Sequence, residues 1–189
     1  GKSTALRMLS GLYLPTEGSL MVDGADIRQI DPTELRSRIG FVEQIPFLFA
    51  GSIRDNIALG HREVDDAAVF RAARIAGVTE FTSSTTSGLD QQVGERGALL
   101  SGGQRQAVTL ARAFLFDPPI LLMDEPTGAM DRAFESRFID RLQSVVADKT
   151  VVIVTHRQAM LALCDRLIVM DQGVILADGP KNDVLADLK

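Results

Sequence analysis

The sequence predicts an α/β protein in which a parallel sheet is interrupted by a helical insertion, and three observations carry that prediction. Short β-rich apolar runs at residues 120–123, 151–154 and 167–170 alternate with helical periodicity, the pattern of buried parallel strands joined by crossover helices. Between about residues 45 and 118 the pattern is helical instead. A composition of 46 % hydrophobic and 24 % charged residues over 189 positions can build a core, which argues against a disordered chain.

The elements follow in order. Gly1-Lys2-Ser3-Thr4 precedes Leu6, Leu9 and Leu12 at helical spacing. Residues 20–27 read as two short strands about the turn Asp23-Gly24. Asp31-Pro32 with Glu34 is a helix-opening signal at capping-box spacing, and residues 39–42 form a further sheet strand. Val69, Ala72, Ala73 and Ala76 mark an amphipathic helix, whereas the polar residues 82–88 predict a loop. A helix from Asp131 carries Phe134, Phe138, Leu142, Val145 and Val146 on one face, with its charged residues expected on the other. No internal repeat or long linker divides the chain.

Composition narrows the function classes. No apolar run approaches the roughly 18 residues that span a bilayer, and no secretory leader is visible at the start. The single cysteine, Cys164, excludes an internal disulfide and an all-cysteine metal cage, which fits a reducing, cytoplasmic setting. A net charge of −5 argues against a broad electrostatic grip on nucleic acid, so no nucleic-acid partner is expected.

Three stretches carry chemistry. Gly1-Lys2-Ser3-Thr4 is the last part of the phosphate-loop pattern Gly-x-x-x-x-Gly-Lys-Ser/Thr, in which backbone N–H groups wrap phosphates, the lysine reaches the β and γ phosphates and the hydroxyl holds Mg²⁺. Taken alone, it reads equally as an ordinary capped helix start. Residues 120–125 form an apolar strand ending in two carboxylates, at the end of a strand where α/β sheets meet their ligands. Asp124 could hold Mg²⁺ while Glu125 orients or deprotonates an attacking water; two solvated acids before Pro126 is the plainer alternative. The third is Leu100-Ser101-Gly102-Gly103-Gln104, where Ser101 and Gln104 are spaced as a capping box. Its paired glycines let a backbone come close to a ligand at a helix N-terminus, which attracts an anion.

Leu100 to Gln104 resembles the signature motif of ABC-transporter nucleotide-binding domains, and the family's other elements occur in order. Gln44 after strand 39–42 resembles the Q-loop glutamine, Gly128-Ala129-Met130-Asp131 the D-loop, and His156 the switch histidine. The resemblance implies a P-loop NTPase fold: a RecA-like parallel-sheet core over residues 1–44 and 119–189, with an ABC-type α-helical subdomain inserted at residues 45–118. The N-terminal strands of that fold, including the one feeding the phosphate loop, are expected upstream of Gly1. For residues 1–189 alone, the expectation is therefore poor solubility and weak or absent ATP binding.

The resemblance also implies a head-to-tail dimer with ATP between the phosphate loop of one subunit and the signature helix of the other. Gly1, Lys2, Ser3 and Thr4 would bind phosphates, with Ser3, Gln44 and Asp124 at Mg²⁺. Ser101, Gly102, Gly103 and Gln104 would serve the partner's nucleotide. Asp131 would bridge the two sites, and Glu125, His156 and Gln44 would act in hydrolysis. Glu43 stands where the family often has proline and Gly128 where it often has serine, while the adenine-stacking aromatic is expected upstream of Gly1.

Val93-Gly94-Glu95-Arg96-Gly97 and the stretch from Phe47 to Ile57 resemble exporter segments. Residues 107–131 look most like type I protein secretion ATPases. The expected setting is the cytoplasmic face of a bacterial inner membrane, with a transmembrane domain fused or associated and, for type I secretion, membrane-fusion and outer-membrane components. Lipid, peptide and multidrug exporters are the alternatives, followed by a soluble ABC ATPase or a non-hydrolysing nucleotide module.

Overall fold

The computed structural model describes residues 1–61 and 63–187. Helix α1 (Lys2–Leu9) buries Leu6 and leads to the antiparallel pair β1 (Met21–Val22) and β2 (Ala25–Asp26). Asp23 and Gly24 between them both have positive φ, as a tight hairpin turn needs. Helix α2 (Pro32–Ser37) is capped by Asp31, whose carboxylate accepts from the N–H groups of Thr33 and Glu34. Strand β3 (Ile39–Val42) follows.

Four helices separate β3 from the next strand: α3 (Ile53–Ile57), α4 (Asp66–Ala76), α5 (Val78–Thr82) and α6 (Gly102–Phe114). The buried face of α4 is Val69, Ala72, Ala73 and Ala76, and these small side chains let it pack closely on α6. Helix α6 opens with a full capping box: Ser101 accepts from the Gln104 N–H, and the Gln104 side chain accepts from the Ser101 N–H. Its Ala107, Leu110, Ala111 and Phe114 are buried, followed by Leu115. The helix crosses β3 so closely that a Cβ on Gly40 would stand 2.5 Å from the Ala113 carbonyl oxygen, so only glycine fits there.

Strand β4 (Ile120–Asp124), helix α7 (Arg132–Gln143) and strand β5 (Thr150–Val154) complete the main sheet, ordered β3-β4-β5 with both pairings parallel. The loop expected after residue 82 is present, beginning where α5 ends. The core is one cluster joining Val42 and Met123 of the sheet to Ile53, Ile57, Leu110 and Phe138 of the helices.

Two expectations need correction. Residues 167–170 do not extend the parallel sheet: β6 (Arg166–Asp171) pairs antiparallel with β7 (Val174–Pro180), and a 3₁₀ helix (Gln158–Leu163) replaces the α-helix expected before it. The physical reason lies in Gln172 and Gly173, both at positive φ, which turn the chain straight back onto its neighbour. The second concerns α7, where the charged residues were expected opposite the apolar stripe. Glu135 is only 5 % exposed, and it is tolerated there because Arg157 and Thr127 are bonded to it. Helix α8 (Lys181–Asp187) ends the described chain, and among the described residues β5 pairs only with β4.

Candidate active site

Strand register decides which side chains meet. Val42, Met123 and Ile153 lie abreast across the parallel sheet, and Asp124 lies abreast of Val154. Gln44, Asp124, Glu125, Thr155 and His156 therefore all leave the sheet at its carboxyl end, where open α/β sheets bind ligands. Helix α1 packs against β4 and β5. Gly1 stands at its N-cap with no side chain bonded to the first turn, and Lys2 and Ser3 are half-buried.

Asp124 ends β4 and is 6 % exposed. At Glu125 the chain turns into the left-handed region (φ 47°), while its N–H still donates to the Val154 carbonyl at 2.8 Å. Such a backbone is costly for a residue with a side chain and persists where the surroundings hold it, here the last rung of the β4–β5 ladder and the turn behind. The Thr155 hydroxyl donates to Glu125 Oε2 at 3.2 Å. The other oxygen, Oε1, is buried without a hydrogen-bond partner and stands 3.6 Å from His156 Nε2. One carboxylate oxygen is thus anchored, and the other is free to accept a proton or a donor.

The remaining predicted residues lie in two groups. Gln44 is exposed, two residues past the end of β3. Ser101, Gly102, Gly103 and Gln104 start α6, and no hydrogen bond or ion pair joins them to Lys2, Ser3 or Glu125 among the described residues. They lie instead against the loop before α7: a Cβ on Gly103 would stand 3.2 Å from the Ala129 carbonyl oxygen, and one on Gly102 3.5 Å from the Ala129 Cβ. Asp131 ends that loop as the N-cap of α7, accepting from the Phe134 N–H at 2.8 Å. Gly103 therefore has a packing reason besides the close approach of a ligand, whereas a Cβ on Gly102 would meet only ordinary contact. Serine in place of Gly128 would need only a small adjustment, its Cβ falling 3.3 Å from the Glu125 carbonyl oxygen.

Sequence reasoning missed Thr155, Arg157, Glu135 and Thr127. Arg157 donates to Glu135 Oε2 at 3.1 Å and to the carbonyls of Gly128 and Met130 at 3.1 and 3.3 Å. One signal was present: Glu135 falls three residues before Phe138 and seven before Leu142, a carboxylate on the apolar stripe that calls for a buried partner.

Ser3, Gln44 and Asp124 offer only oxygen donors. Oxygen donors of this kind suit a hard divalent cation such as Mg²⁺, usually held by one or two carboxylates together with phosphate oxygens.

Comparison with known proteins adds relatives to this geometry. The family model described as "ABC transporter" matches residues 1–128. The mycobactin import ATP-binding/permease protein IrtB of Mycolicibacterium smegmatis is 42 % identical over 186 residues, covering 98 % of this chain and 32 % of that protein. The ATP-dependent lipid A-core flippase 1 of Colwellia psychrerythraea is 40 % identical, covering 98 % of this chain and 31 % of its own length. The leukotoxin export ATP-binding protein LtxB of Aggregatibacter actinomycetemcomitans is 39 % identical over all of this chain and 27 % of itself. A solved bacterial Atm1-family ABC exporter with ATP bound superposes with a TM-score of 0.93 at 38 % identity, over 99 % of this chain and 33 % of that one. The chain thus spans between 27 and 33 % of the length of these relatives. Its fold is that of a P-loop NTPase with the helical insertion, and the chain belongs to the ABC transporter family.

Proposed function

We propose that this chain is the ATP-binding and ATP-hydrolysing part of an ABC exporter. The observation that carries the reading is Glu125: a carboxylate at the carboxyl end of a parallel sheet, with Oε2 held by Thr155 and a buried, unpartnered Oε1 beside His156. Oε1 takes the proton of a water that attacks the γ-phosphorus, so that ATP and water become ADP and phosphate. Lys2, Ser3, Thr4 and the backbone N–H groups from Gly1 onward hold the phosphates. The chemistry supplied by bound Mg²⁺ is neutralisation of charge on the phosphate oxygens, with Ser3, Gln44 and Asp124 as its holders. His156, 80 % exposed, is free to reach the γ-phosphate.

The partner is a second nucleotide-binding domain arranged head to tail, receiving Ser101, Gly102, Gly103 and Gln104 at its nucleotide and Asp131 between the two sites. A transmembrane domain, fused or associated, docks over exposed apolar residues among Ile45, Phe47, Phe49 and Leu99. These side chains are between 49 and 78 % exposed although apolar, which supports a covering partner. Among the described residues no helix is long and apolar enough to cross a membrane. The setting we assign is the cytoplasmic face of the membrane, and relatives named as ATP-binding/permease proteins support the membrane association. The helical subdomain is residues 45–118, between core segments 1–44 and 119–189.

The cargo we assign is a protein moved by a type I secretion system, with membrane-fusion and outer-membrane components. Support comes from residues 116–120 and 129–131 and from relatives named for leukotoxin export and toxin translocation. Relatives named for lipid A-core flipping and multidrug export match at similar identity and support the alternative cargoes. For residues 1–189 alone we infer poor solubility and weak or absent ATP binding, supported among the described residues by the open edge of β5 and the exposed apolar Val174, Ile175 and Leu176 of β7.

The test is ATPase activity of the full-length protein in membranes, with and without a secreted protein. Glu125→Gln should lower turnover by about 10²- to 10⁴-fold with ATP binding intact. Near-normal hydrolysis in that variant would remove Glu125 from its role, and indifference to secreted proteins would turn the cargo search to lipids and small molecules.

A further inference from the structure

The loop from Glu125 to Asp131 is wound as successive tight turns, the Gly128 N–H donating to the Glu125 carbonyl at 3.0 Å and the Met130 N–H to the Thr127 carbonyl at 2.9 Å. Turns of this kind bind only part of the backbone and leave the carbonyls of Gly128 and Met130 for an outside donor. Arg157 is that donor. Its Nη2 bonds both carbonyls, and its Nη1 bonds Glu135, whose other oxygen accepts from the buried Thr127 hydroxyl in the same loop. The loop also lies against the Gly102-Gly103 start of α6, where a Cβ on Gly103 would stand 3.2 Å from the Ala129 carbonyl oxygen.

The backbone of Arg157 reaches the other way. Its N–H donates to Thr155 Oγ1 at 3.0 Å, and because a hydroxyl carries one proton, that proton is left for Glu125 Oε2. An unbroken path of bonds therefore runs from Glu135 through Arg157 and Thr155 to the carboxylate of Glu125. From Arg157 the loop also reaches the first turn of α6, there by packing rather than by a hydrogen bond.

We propose that Arg157 is a positioning residue for hydrolysis, fastening the loop of residues 125–131 to the end of β5 so that Glu125 and the start of α6 keep a fixed relation. Among the described residues no hydrogen bond or ion pair joins its side chain to Glu125 or His156, and it acts through Thr155 and the loop. Lysine is no substitute, because one ammonium cannot reproduce the planar fork that meets two carbonyls and a carboxylate together. The competing role is a stabilising ion pair with Glu135 and nothing more.

This inference rests on the ATPase reading of Glu125, and the experiment separates the two. Steady-state ATP hydrolysis, ATP affinity and thermal melting are measured on the full-length protein carrying Arg157→Lys, and on the double variant Arg157→Met with Glu135→Gln. The double variant leaves no buried carboxylate without its cation. The expected result is a kcat about 10- to 100-fold lower at unchanged KM in both variants, with near-parental melting in the double variant. Placed on Glu125→Gln, the Arg157 changes should lower the residual rate no further, since both act on one carboxylate. Parental kcat in the double variant, or a fall that multiplies with that of Glu125→Gln, would overturn the positioning role while leaving the ATPase reading intact. Full activity in Glu125→Gln alone would remove that reading and this inference with it.

Discussion

Nε2 of His156 stands 3.6 Å from Oε1 of Glu125, yet the imidazole is 80 % exposed and the carboxylate 14 %. The two partners differ in freedom. Glu125 is fixed by its backbone, by Thr155 and by the turn behind it, whereas His156 has open space in which to swing toward a ligand.

That asymmetry separates stability from turnover at His156. Replacing an exposed side chain away from caps and cores changes stability by no more than about 0.5 kcal/mol. His156→Ala should therefore melt with the parent in the absence of nucleotide while its ATP turnover falls by about 10²-fold. Scanning calorimetry and steady-state hydrolysis on the full-length protein check both halves, and a large drop in melting temperature would show that the imidazole is a structural group.

At Thr155 the hydroxyl, not the shape, matters. Thr155→Val keeps the branched side chain but removes the donor to Glu125 and the acceptor for the Arg157 N–H, so kcat should fall several-fold at unchanged KM. Thr155→Ser restores the hydroxyl and should restore most of the rate. Equal losses in both variants would assign the effect to packing of the Thr155 methyl group.

The two signature glycines should respond differently to a side chain. Gly103→Val must push on the Ala129 carbonyl and should destabilise the fold by about 1–3 kcal/mol, whereas Gly102→Ala meets only ordinary contact and should melt near the parent. Urea titration without nucleotide distinguishes them, and equal midpoints would mean that the loop yields freely.

Helix α3 gives a pH-dependent prediction. The Ser52 hydroxyl and backbone N–H hold the Asp55 carboxyl below the usual aspartate range. A group with a depressed folded pKa contributes stability that is complete above its unfolded value, near 3.9, and is lost as pH falls through the folded one. Ser52→Ala should cost about 1 kcal/mol at neutral pH, and that cost should shrink as Asp55 protonates in acid. Melting curves from pH 7 down to pH 3 read this directly. A cost that stays constant over that range would show that Asp55 plays no part.

Where residues act through their own neighbours in sequence, the chain was legible. The Asp31 cap, the Asp23-Gly24 hairpin turn, the α4 face and the Ser101–Gln104 box all follow from spacing within one or two turns. Glu125 was visible because it follows a strongly apolar strand, and His156 through its resemblance to the family's switch histidine. What escaped was set by tertiary approach: the left-handed backbone of Glu125, the packing of Gly103 on Ala129, and the bond from Arg157 to Glu135 across 22 positions. The antiparallel turn-back of β6 onto β7 was missed for a local reason, since Gln172-Gly173 reads as a turn once both residues are allowed positive φ.

The backbone of Glu125 also sets a conflict between endurance and work. Glycine would adopt φ 47° without the cost a side chain incurs there, a relief of about 1 kcal/mol that the greater freedom of unfolded glycine partly cancels. A screen for thermal resilience alone would therefore reward the loss of this carboxylate, and hardened variants of the chain need to be selected on their catalysis as well as their melting point.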